Sequence, residues 1–583
     1  MRRTLSLMVA GVIAIGVSGC DDFLAPEPAT FASSETYFKT PDQMEQAVSG
    51  LYTEMRGLFQ GDWRLLNDLR GDDVTLQLNI NVPGFTFQID EFLEATNDGT
   101  VSAQYSAIFD LIFASNVILT RIEGVTFTDP AQKARMIGEA KFARAIAYWQ
   151  AVQFFGLAED WAPNNLAIPL ILEEITNPQQ AFELERATVQ QVVAQIVQDL
   201  TEAKAVLPVR GSPGATGANN GRITRGAAAF LLGATHQFNP DATAQRAALA
   251  EFASLEADGY QLITAPSGAN NAYRQVFNPA NKNNRESILE FQFLVSSENG
   301  GLRQNLVPGM APLNSASGGN AGDARTVAVY GASGNGSFNP TQNHILSFTG
   351  AEAGDPAAPR DLRYEGGYGL FCPGSGISGV LGVADRLRVT ADITLGGPNT
   401  QYPELNIATA RDPQTGEVRN NCIPYFTKWR WVEHMPQEGR DNNNWIAFRY
   451  ADALLRRAES HARLGETGPA LTHLNTVRAR AGLDALVGLS GQALMDAILR
   501  ERSWELAGEG HRWFDLKRFG VASEVITAHG AERIARVPRT SPSAYGVTGA
   551  NSYRMRYPIR PRDVELSECK ILQNPGWGSC EGA

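Results

Sequence analysis

The segment YADALLRRAESHARLGETGPALTHLNTVRARAGL, residues 450–483, decides the fold that the sequence predicts. Leu454 and Ala458 lie one helical turn apart, and apolar residues recur at this spacing along the first half of the segment. A glycine-containing turn follows at 465–468, and the same spacing resumes through Ala481. Because both halves have one apolar side and a short turn joins them, the segment predicts an antiparallel helix pair.

The length of this pair is close to that of the roughly 34-residue tetratricopeptide repeat. For any single pair, an ordinary antiparallel helix hairpin is the alternative. Further helical patterns favour the repeat, because repeats of this type stack into a curved scaffold. These patterns cover residues 40–55, 102–121, 131–156, 188–207, 226–238 and 242–255. The sequence therefore predicts a mainly α fold with tetratricopeptide-like helical repeats.

Residues 261–440 differ in composition from the helical parts on either side. Glycine, asparagine, proline and serine become more frequent, and the helical periodicity fades. Short runs such as 287–293 have the composition of strands. We therefore expect a single domain after the leader, in which helical parts at 20–260 and 441–583 flank a loop-rich insertion with a few short strands.

Composition and motifs exclude several functional classes. The chain has 583 residues, of which 43% are hydrophobic and 19% charged, so wholesale disorder is excluded. Its net charge is −12, and an acidic chain does not attract a nucleic-acid backbone, so we expect no nucleic-acid partner. The glycines at 374–379 fit GxGxxG, but without a flanking strand and helix they predict a flexible loop. We expect no cofactor.

The first twenty residues predict export and a lipid anchor. Arg2 and Arg3 precede an apolar run at 5–17, which is too short to span a bilayer and has the length of a signal-peptide core. Small residues then lead to Cys20, as at a bacterial lipoprotein cleavage site. The sequence predicts a signal peptide at 1–19 and lipidation of Cys20, for example by palmitate. An ordinary signal peptide with an incidental cysteine is the alternative.

Four further cysteines can form disulfides in an exported chain. They are Cys372, Cys422, Cys569 and Cys580, and four cysteines allow three pairings. Closure of the shorter loops favours Cys372 with Cys422 and Cys569 with Cys580, and free thiols are the alternative. The absence of a CxxC or HExxH pattern argues against zinc.

Aromatic residues supply the candidate ligand contacts. Phe85 and Phe87 alternate in a loop that follows an acidic pair, and Trp429 and Trp431 alternate so that they would share one face of a strand. Tyr364 and Tyr368 lie close together in the insertion. Flat rings beside polar groups suit the apolar faces and hydroxyls of sugars. The alternative is that these rings fill the core beneath the insertion. The candidates are Asp72, Asp73, Phe85, Phe87, Tyr364, Tyr368, Trp429 and Trp431.

Other polar residues predict structure rather than chemistry. Glu501 and Glu505 share one face of a predicted helix, and we expect ion pairs with Arg500, Arg502 and Arg512 rather than glycoside hydrolysis. His461 and His473 lie on the two helices of one hairpin and could meet. We expect no metal site. Calcium on the oxygen-rich loop at 441–444 is the open alternative.

Six segments taken in order resemble the RagB/SusD family of surface nutrient-binding lipoproteins, and the resemblance covers nearly the whole chain. They include GEAKFARA at 138–145, LNTVRARAGL at 474–483, EGHRWFDL at 509–516 and QNPGW at 573–577. The chain departs from the family pattern at Arg560, where proline is common. These motifs lie on predicted helices and form scaffold, so they transfer no ligand contacts residue by residue.

The resemblance implies a SusD-like fold whose loop-rich insertion faces the ligand. It further implies a protein without enzymatic activity that captures a nutrient, either oligosaccharide or peptide. The implied partner is a SusC-like TonB-dependent outer-membrane transporter, and the implied location is the outer membrane, lipid-anchored and facing the cell exterior. A surface glycan hydrolase using Asp72 and Asp73 and a purely structural scaffold of a complex are the alternatives.

Overall fold

The fold is described from a computed structural model of the chain. The predicted signal peptide, Cys20, Phe85, Phe87 and Trp431 lie outside the residues that it describes, as do residues 441 and 442 of the 441–444 loop. The structure describes residues 37–59, 66–76, 88–159, 161–265, 271–293, 338–348, 361–372, 379–380, 394–395, 407–411, 418–426, 428–429, 443–536 and 549–581.

The N-terminal part is helical, as predicted. Its helices begin where the sequence supplies local caps: at the start of the fifth, Thr188 and Gln191 form the predicted capping box, with Gln191 N donating to Thr188 Oγ1 at 3.2 Å. The helices are α1 (Pro41–Phe59), α2 (Gly99–Arg121), α3 (Pro130–Ala151), α4 (Pro178–Phe182), α5 (Val189–Val206), α6 (Arg225–His236) and α7 (Ala242–Ala257).

Short helices connect the middle of the chain, and longer ones return after it. The predicted pair at 450–483 forms two helices that pack against each other, and the first of them also packs on α7. The remaining helices are α8 (Ala272–Gln275), α9 (Gln342–Ser347), α10 (Leu362–Gly367), α11 (Tyr450–Arg463), α12 (Thr467–Arg480), α13 (Gly491–Leu506), α14 (Arg512–Phe519), α15 (Ala522–Arg536) and α16 (Pro561–Leu566).

Most strands belong to the predicted insertion, and they are antiparallel. One sheet has the order β7-β6-β10-β9-β8, and the other pairs are β1 with β5, β2 with β3 and β4 with β11. The strands are β1 (Val74–Leu76), β2 (Leu166–Pro169), β3 (Arg186–Thr188), β4 (Ser287–Phe291), β5 (Phe338–Pro340), β6 (Tyr368–Cys372), β7 (Gly379–Val380), β8 (Thr394–Leu395), β9 (Ile407–Arg411), β10 (Val418–Phe426) and β11 (Trp445–Arg449).

Helix α3 lies at the centre of the N-terminal packing and contacts α1, α2 and α5. Its small residues allow close approach, as the sequence predicts. A Cβ atom on Gly138 would lie 2.7 Å from Val206 Cγ2 of α5. The large side chains Phe142, Ile146 and Trp149 are buried. The alternation of small and large residues thus fixes the distance between neighbouring helices.

Within the described residues, the segment Gly99–Gly124 is long and apolar enough to cross a membrane by length and composition alone. Half of its most apolar window is buried inside the protein. Tyr105, Ile108 and Ile112 are completely or almost completely buried, and α2 packs against α1 and α3. In this structure the segment is a core helix.

Candidate ligand-binding site

Several candidates from the insertion meet in one set of packed rings, here named the aromatic cluster. Tyr364 and Tyr368 stack with ring centroids 6.1 Å apart, and Phe348 packs against both. The sheet register pairs Tyr368 with Phe426, which brings the end of β10 to the same place. The cluster comprises Phe348, Tyr364, Tyr368, Phe426, Trp429, Trp445 and Trp504.

Trp429 occupies a different position from the predicted one. Strand β10 ends at Phe426, and Trp429 lies in the turn that follows, so the prediction that it projects from a strand is wrong. Its ring stacks on Trp445 with centroids 5.8 Å apart, and Lys428 Nζ lies 4.5 Å from the ring centroid. The aromatic environment and the backbone turn together hold Trp429 in the interior.

Exposure separates the aromatic candidates. Trp429 is 3% exposed and Tyr368 is 8% exposed, whereas Tyr364 is half-buried. A buried ring presents no face to a sugar, so the geometry at Trp429 and Tyr368 favours the alternative that they fill the core. Among the described aromatic candidates, Tyr364 has the surface that ligand stacking requires. Ligand binding by the candidates stays a prediction.

Asp72 and Asp73 are both held by partners from distant parts of the chain. Arg512 donates to the two carboxylate oxygens of Asp72 at 2.6 and 2.9 Å. Asp73 Oδ1 accepts from Ser503 Oγ at 2.7 Å and lies 3.1 Å from His344 Nδ1. Burial alone would raise the pKa of Asp73, but Arg512 and His344 hold it below its ordinary value.

This arrangement does not suit hydrolysis. A glycosidase needs one carboxyl group that keeps its proton near neutral pH and another across the scissile bond. Asp73 stays ionised and buried, and Asp72 is engaged by the guanidinium fork of Arg512. The two carboxylates therefore join the start of β1 to the C-terminal helices instead of forming an acid–base pair.

A hydrogen-bonded chain connects Asp73 to the aromatic cluster. His344 Nε2 lies 2.7 Å from the Tyr368 hydroxyl, while His344 Nδ1 faces Asp73. His344 and Ser503 were missed by the sequence analysis because they lie 271 and 430 residues from Asp73. No local motif signals such a contact. These hydrogen bonds fix the position of Tyr368, the ring on which Tyr364 stacks.

Glu501 and Glu505 form the predicted ion pairs but with different arginines. Glu501 pairs with Arg363 at 2.7 Å, and Glu505 pairs with Arg449 at 2.5 Å and with Arg480. The predicted partners are wrong for a geometric reason, since successive helical residues point in different directions. Arg502 instead pairs with Asp452 and Asp515, Arg512 pairs with Asp72, and Arg500 is exposed.

The remaining sequence candidates are placed as follows. Cys569 and Cys580 form a disulfide with Cα atoms 5.4 Å apart, which is the predicted local pairing. Cys372 lies in β6 and Cys422 in β10, on neighbouring antiparallel strands. Their pairing stays a prediction.

The two hairpin histidines meet, as predicted. The His461 and His473 rings stack with centroids 5.5 Å apart, and His461 Nδ1 lies 2.7 Å from Glu466 Oε2. Burial and the nearby Arg457 lower the pKa of His473 to about 4, so it is neutral at pH 7. Among the residues that the structure describes, no group of three or more His, Cys, Asp or Glu side chains could hold a metal ion.

Comparison with protein-family models identifies the family. The model described as the SusD family matches residues 285–577, and a model described as starch-binding and associating with the outer membrane matches residues 30–231. The chain belongs to the SusD family. The first match covers β4, the five-stranded sheet and the C-terminal helices, and the second covers most of the N-terminal helical part, so the fold prediction from the sequence is confirmed.

Relatives of this SusD-family chain align over most of their length. SusD-like protein P25 of Formosa agariphila is 27% identical over 526 residues, which are 87% of this chain and 88% of that protein. SusD-like protein P2 of the same organism is 23% identical over 89% of this chain and 92% of its own length.

Solved structures share the fold. A SusD homologue from Bacteroides thetaiotaomicron has a TM-score of 0.68 and 20% identity, covering 95% of this chain and 100% of its own. A laminarin-binding SusD-like protein has a TM-score of 0.63 and 23% identity, covering 92% and 100%. Surface glycan-binding protein A from Bacteroides uniformis has a TM-score of 0.63 and 19% identity, with the same coverage.

Proposed function

We propose that this protein is a non-catalytic glycan-binding lipoprotein of the outer membrane, which captures oligosaccharide outside the cell and delivers it to a SusC-like TonB-dependent transporter. Membership of the SusD family is the observation that carries the proposal. Two structural neighbours over the whole fold are named for binding laminarin and surface glycans. The second family model is described as starch-binding and associated with the outer membrane.

The described geometry supports binding over catalysis. The aromatic cluster packs beside the strands of the insertion, and Tyr364 is its half-buried member. Rigid scaffolds that hold variable loops are typical of binding sites. Both acidic candidates already have protein partners. Asp72 pairs with Arg512, and Asp73 contacts His344 and Ser503.

Lipidation of Cys20 would complete the mechanism. An anchored protein is confined to the membrane plane, which raises its effective concentration near a transporter in the same membrane. Ring stacking with a few hydrogen bonds gives moderate affinity, and moderate affinity allows release to the transporter. This account needs no cofactor.

The direct test is calorimetry of the purified full chain in detergent with laminarin and starch oligosaccharides, followed by chromatography of the sugars after prolonged incubation. We expect saturable binding of at least one glycan and unchanged sugar length. Shortened products would support the hydrolase alternative. Binding of a control peptide mixture without binding of any glycan would support a peptide ligand and contradict the proposal.

A further inference from the structure

A concave site lies in the helical part of the molecule, built from residues outside the loop-rich insertion. We name it the helix-end pocket. Its cavity volume is about 170 Å³, and the cavity opens to solvent. This is less than the roughly 300–1,000 Å³ of sites that enclose a whole drug-sized ligand, but like them it combines rings with a few polar groups. The residues used below are Glu159, Trp161, Phe238, Arg463, Arg518 and Phe519, all of which line it.

The C-terminal ends of four helices converge on the helix-end pocket. They belong to α3 with its π-helical extension Val152–Gly156, to α6, to α11 and to α14. The last carbonyl groups of a helix lack partners within the helix and attract donors. Lys517 Nζ meets this need by donating to Gln153 O at 2.6 Å and Leu157 O at 2.8 Å.

Three aromatic side chains give the pocket apolar faces. Trp161, Phe238 and Phe519 are half-buried, so part of each ring reaches solvent. Phe238 is backed by Trp149, with ring centroids 6.3 Å apart. The guanidinium carbons of Arg463 and Arg518 each lie 5.6 Å from the Phe519 ring centroid. These contacts hold Phe238 and Phe519 in place before any ligand arrives, and Trp161 packs against the edge of the hydrophobic core.

The charges of Arg463 and Arg518 are offset by the carboxylates of Glu459 and Glu159, while the third cation, Lys517, is buried and donates to backbone carbonyls. Arg463 and Arg518 both pair with buried Glu459 through Nε, at 3.1 and 2.9 Å. Their remaining contacts use Nη2. Among the described residues, neither Nη1 atom has a hydrogen-bond partner. Glu159, which accepts from Ser523 N at 2.6 Å, adds a carboxylate at the wall.

We infer that the helix-end pocket is a second carbohydrate subsite, which takes the end of a neutral glycan chain. The rings fit the apolar faces of sugar units, the guanidinium donors fit ring and hydroxyl oxygens, and the carboxylate of Glu159 can accept from a hydroxyl group. Because Glu459 and Glu159 together offset the charges of Arg463 and Arg518, the pocket favours a neutral ligand over an anion. The inference rests on the proposed glycan-binding function and places one glycan contact site outside the insertion.

The test compares variants of the full chain in detergent, with laminarin and starch oligosaccharides as probes. Trp161→Ala and Trp161→Leu remove the ring, and Leu keeps apolar bulk so that the fold is retained if Ala destabilises it. Each should weaken binding of a probe about tenfold or more. Trp161→Phe should bind within about threefold of the unmodified chain. The matched control is Phe182→Ala, which removes an exposed ring outside the pocket and should leave binding unchanged.

The outcomes separate the second subsite from the proposed function. If the unmodified chain binds a probe and folded Trp161→Leu binds it equally well, the second subsite is wrong and the proposed function stands. If the unmodified chain binds neither probe, the proposed function is contradicted and the subsite with it. Loss of binding in Trp161→Leu but not in Trp161→Phe or Phe182→Ala supports the subsite.

Discussion

At the scale of single residues, burial distinguishes Trp429 from Tyr364, although both are candidate ligand contacts in the sequence. Trp429 is 3% exposed and packs against Phe426, Trp445 and Phe277, whereas Tyr364 is half-buried. Trp429→Ala should therefore lower the free energy of unfolding by about 3–5 kcal/mol, because it opens a cavity in the core. Denaturant unfolding measures this effect.

Tyr364→Ala is the matched variant at the edge of the same cluster. It should weaken glycan binding with a smaller loss of stability than Trp429→Ala, because its ring is already partly solvated. Calorimetry of both variants separates the two effects. A Trp429→Ala protein that is as stable as the unmodified chain would show that the ring does not support the core.

The buried carboxylate Glu459 predicts a defined pH dependence. Burial alone would raise the pKa of Glu459, but Arg518 and Arg463 lower it from 4.5 to about 2. Because the folded-state pKa lies below the unfolded one, the stabilisation is present above about pH 4.5 and is lost as the pH falls toward 2. The full effect is about 3 kcal/mol.

Comparison with Glu459→Gln isolates this group from other carboxylates. The unmodified chain should exceed Glu459→Gln in free energy of unfolding above pH 4.5, and the difference should shrink as the pH is lowered. Glu565→Gln, at an exposed position on α16, should show little difference at any pH. A constant difference for Glu459→Gln between pH 6 and pH 3 would contradict the pairing.

At the scale of elements, α6 packs closely on α7 because Gly233 has no side chain. A Cβ atom there would lie 2.7 Å from Cε1 of the fully buried Phe252 ring. Gly233→Ala should lose about 1–3 kcal/mol of stability through overpacking. Gly50→Ala, where a Cβ atom meets nothing within 4 Å, should gain up to about 1 kcal/mol from helix propensity. Equal thermal shifts for the two variants would refute the close contact.

The register of β6 and β10 supports the second predicted disulfide. Phe371 pairs with Ile423, so the next position sets Cys372 opposite Cys422. Cα atoms of opposed antiparallel residues lie about 4.5–5.5 Å apart, which suits a disulfide. Mass spectrometry of unreduced peptides should detect the link, with the Cys569–Cys580 peptide as the internal control. Alkylation of Cys372 and Cys422 without prior reduction would contradict it.

Contacts between residues close together in the sequence could be predicted, whereas contacts between distant residues could not. Thr188 and Gln191 are three residues apart, so their capping box and the helix after it were visible in the sequence. The stacking of His461 and His473 followed from one hairpin. Asp73 contacts His344 and Ser503 across hundreds of residues, and the partners of Glu501 depend on which way α13 faces. Such contacts are fixed by tertiary packing and could not be read locally.

At the scale of the whole molecule, the proposed mechanism depends on the anchor. Cys20→Ala should release the protein from the membrane fraction, because the variant cannot carry the lipid. The apolar run at 5–17 is too short to span a bilayer and does not replace the lipid as an anchor. Cell fractionation measures the distribution. The control is Cys372→Ser, which removes a cysteine from β6 and should leave the protein with the membranes. Cys20→Ala that still sediments with membranes would argue against lipidation.

The central claim is capture of glycans at the cell surface by a SusD-family protein. The most direct measurement is retention of fluorescent laminarin or starch oligosaccharide by intact cells that produce the chain, compared with cells that lack it and with cells that produce Cys20→Ala. We expect saturable retention only with the unmodified chain, and intact sugar when it is eluted. Equal retention by all three cell types would contradict the claim.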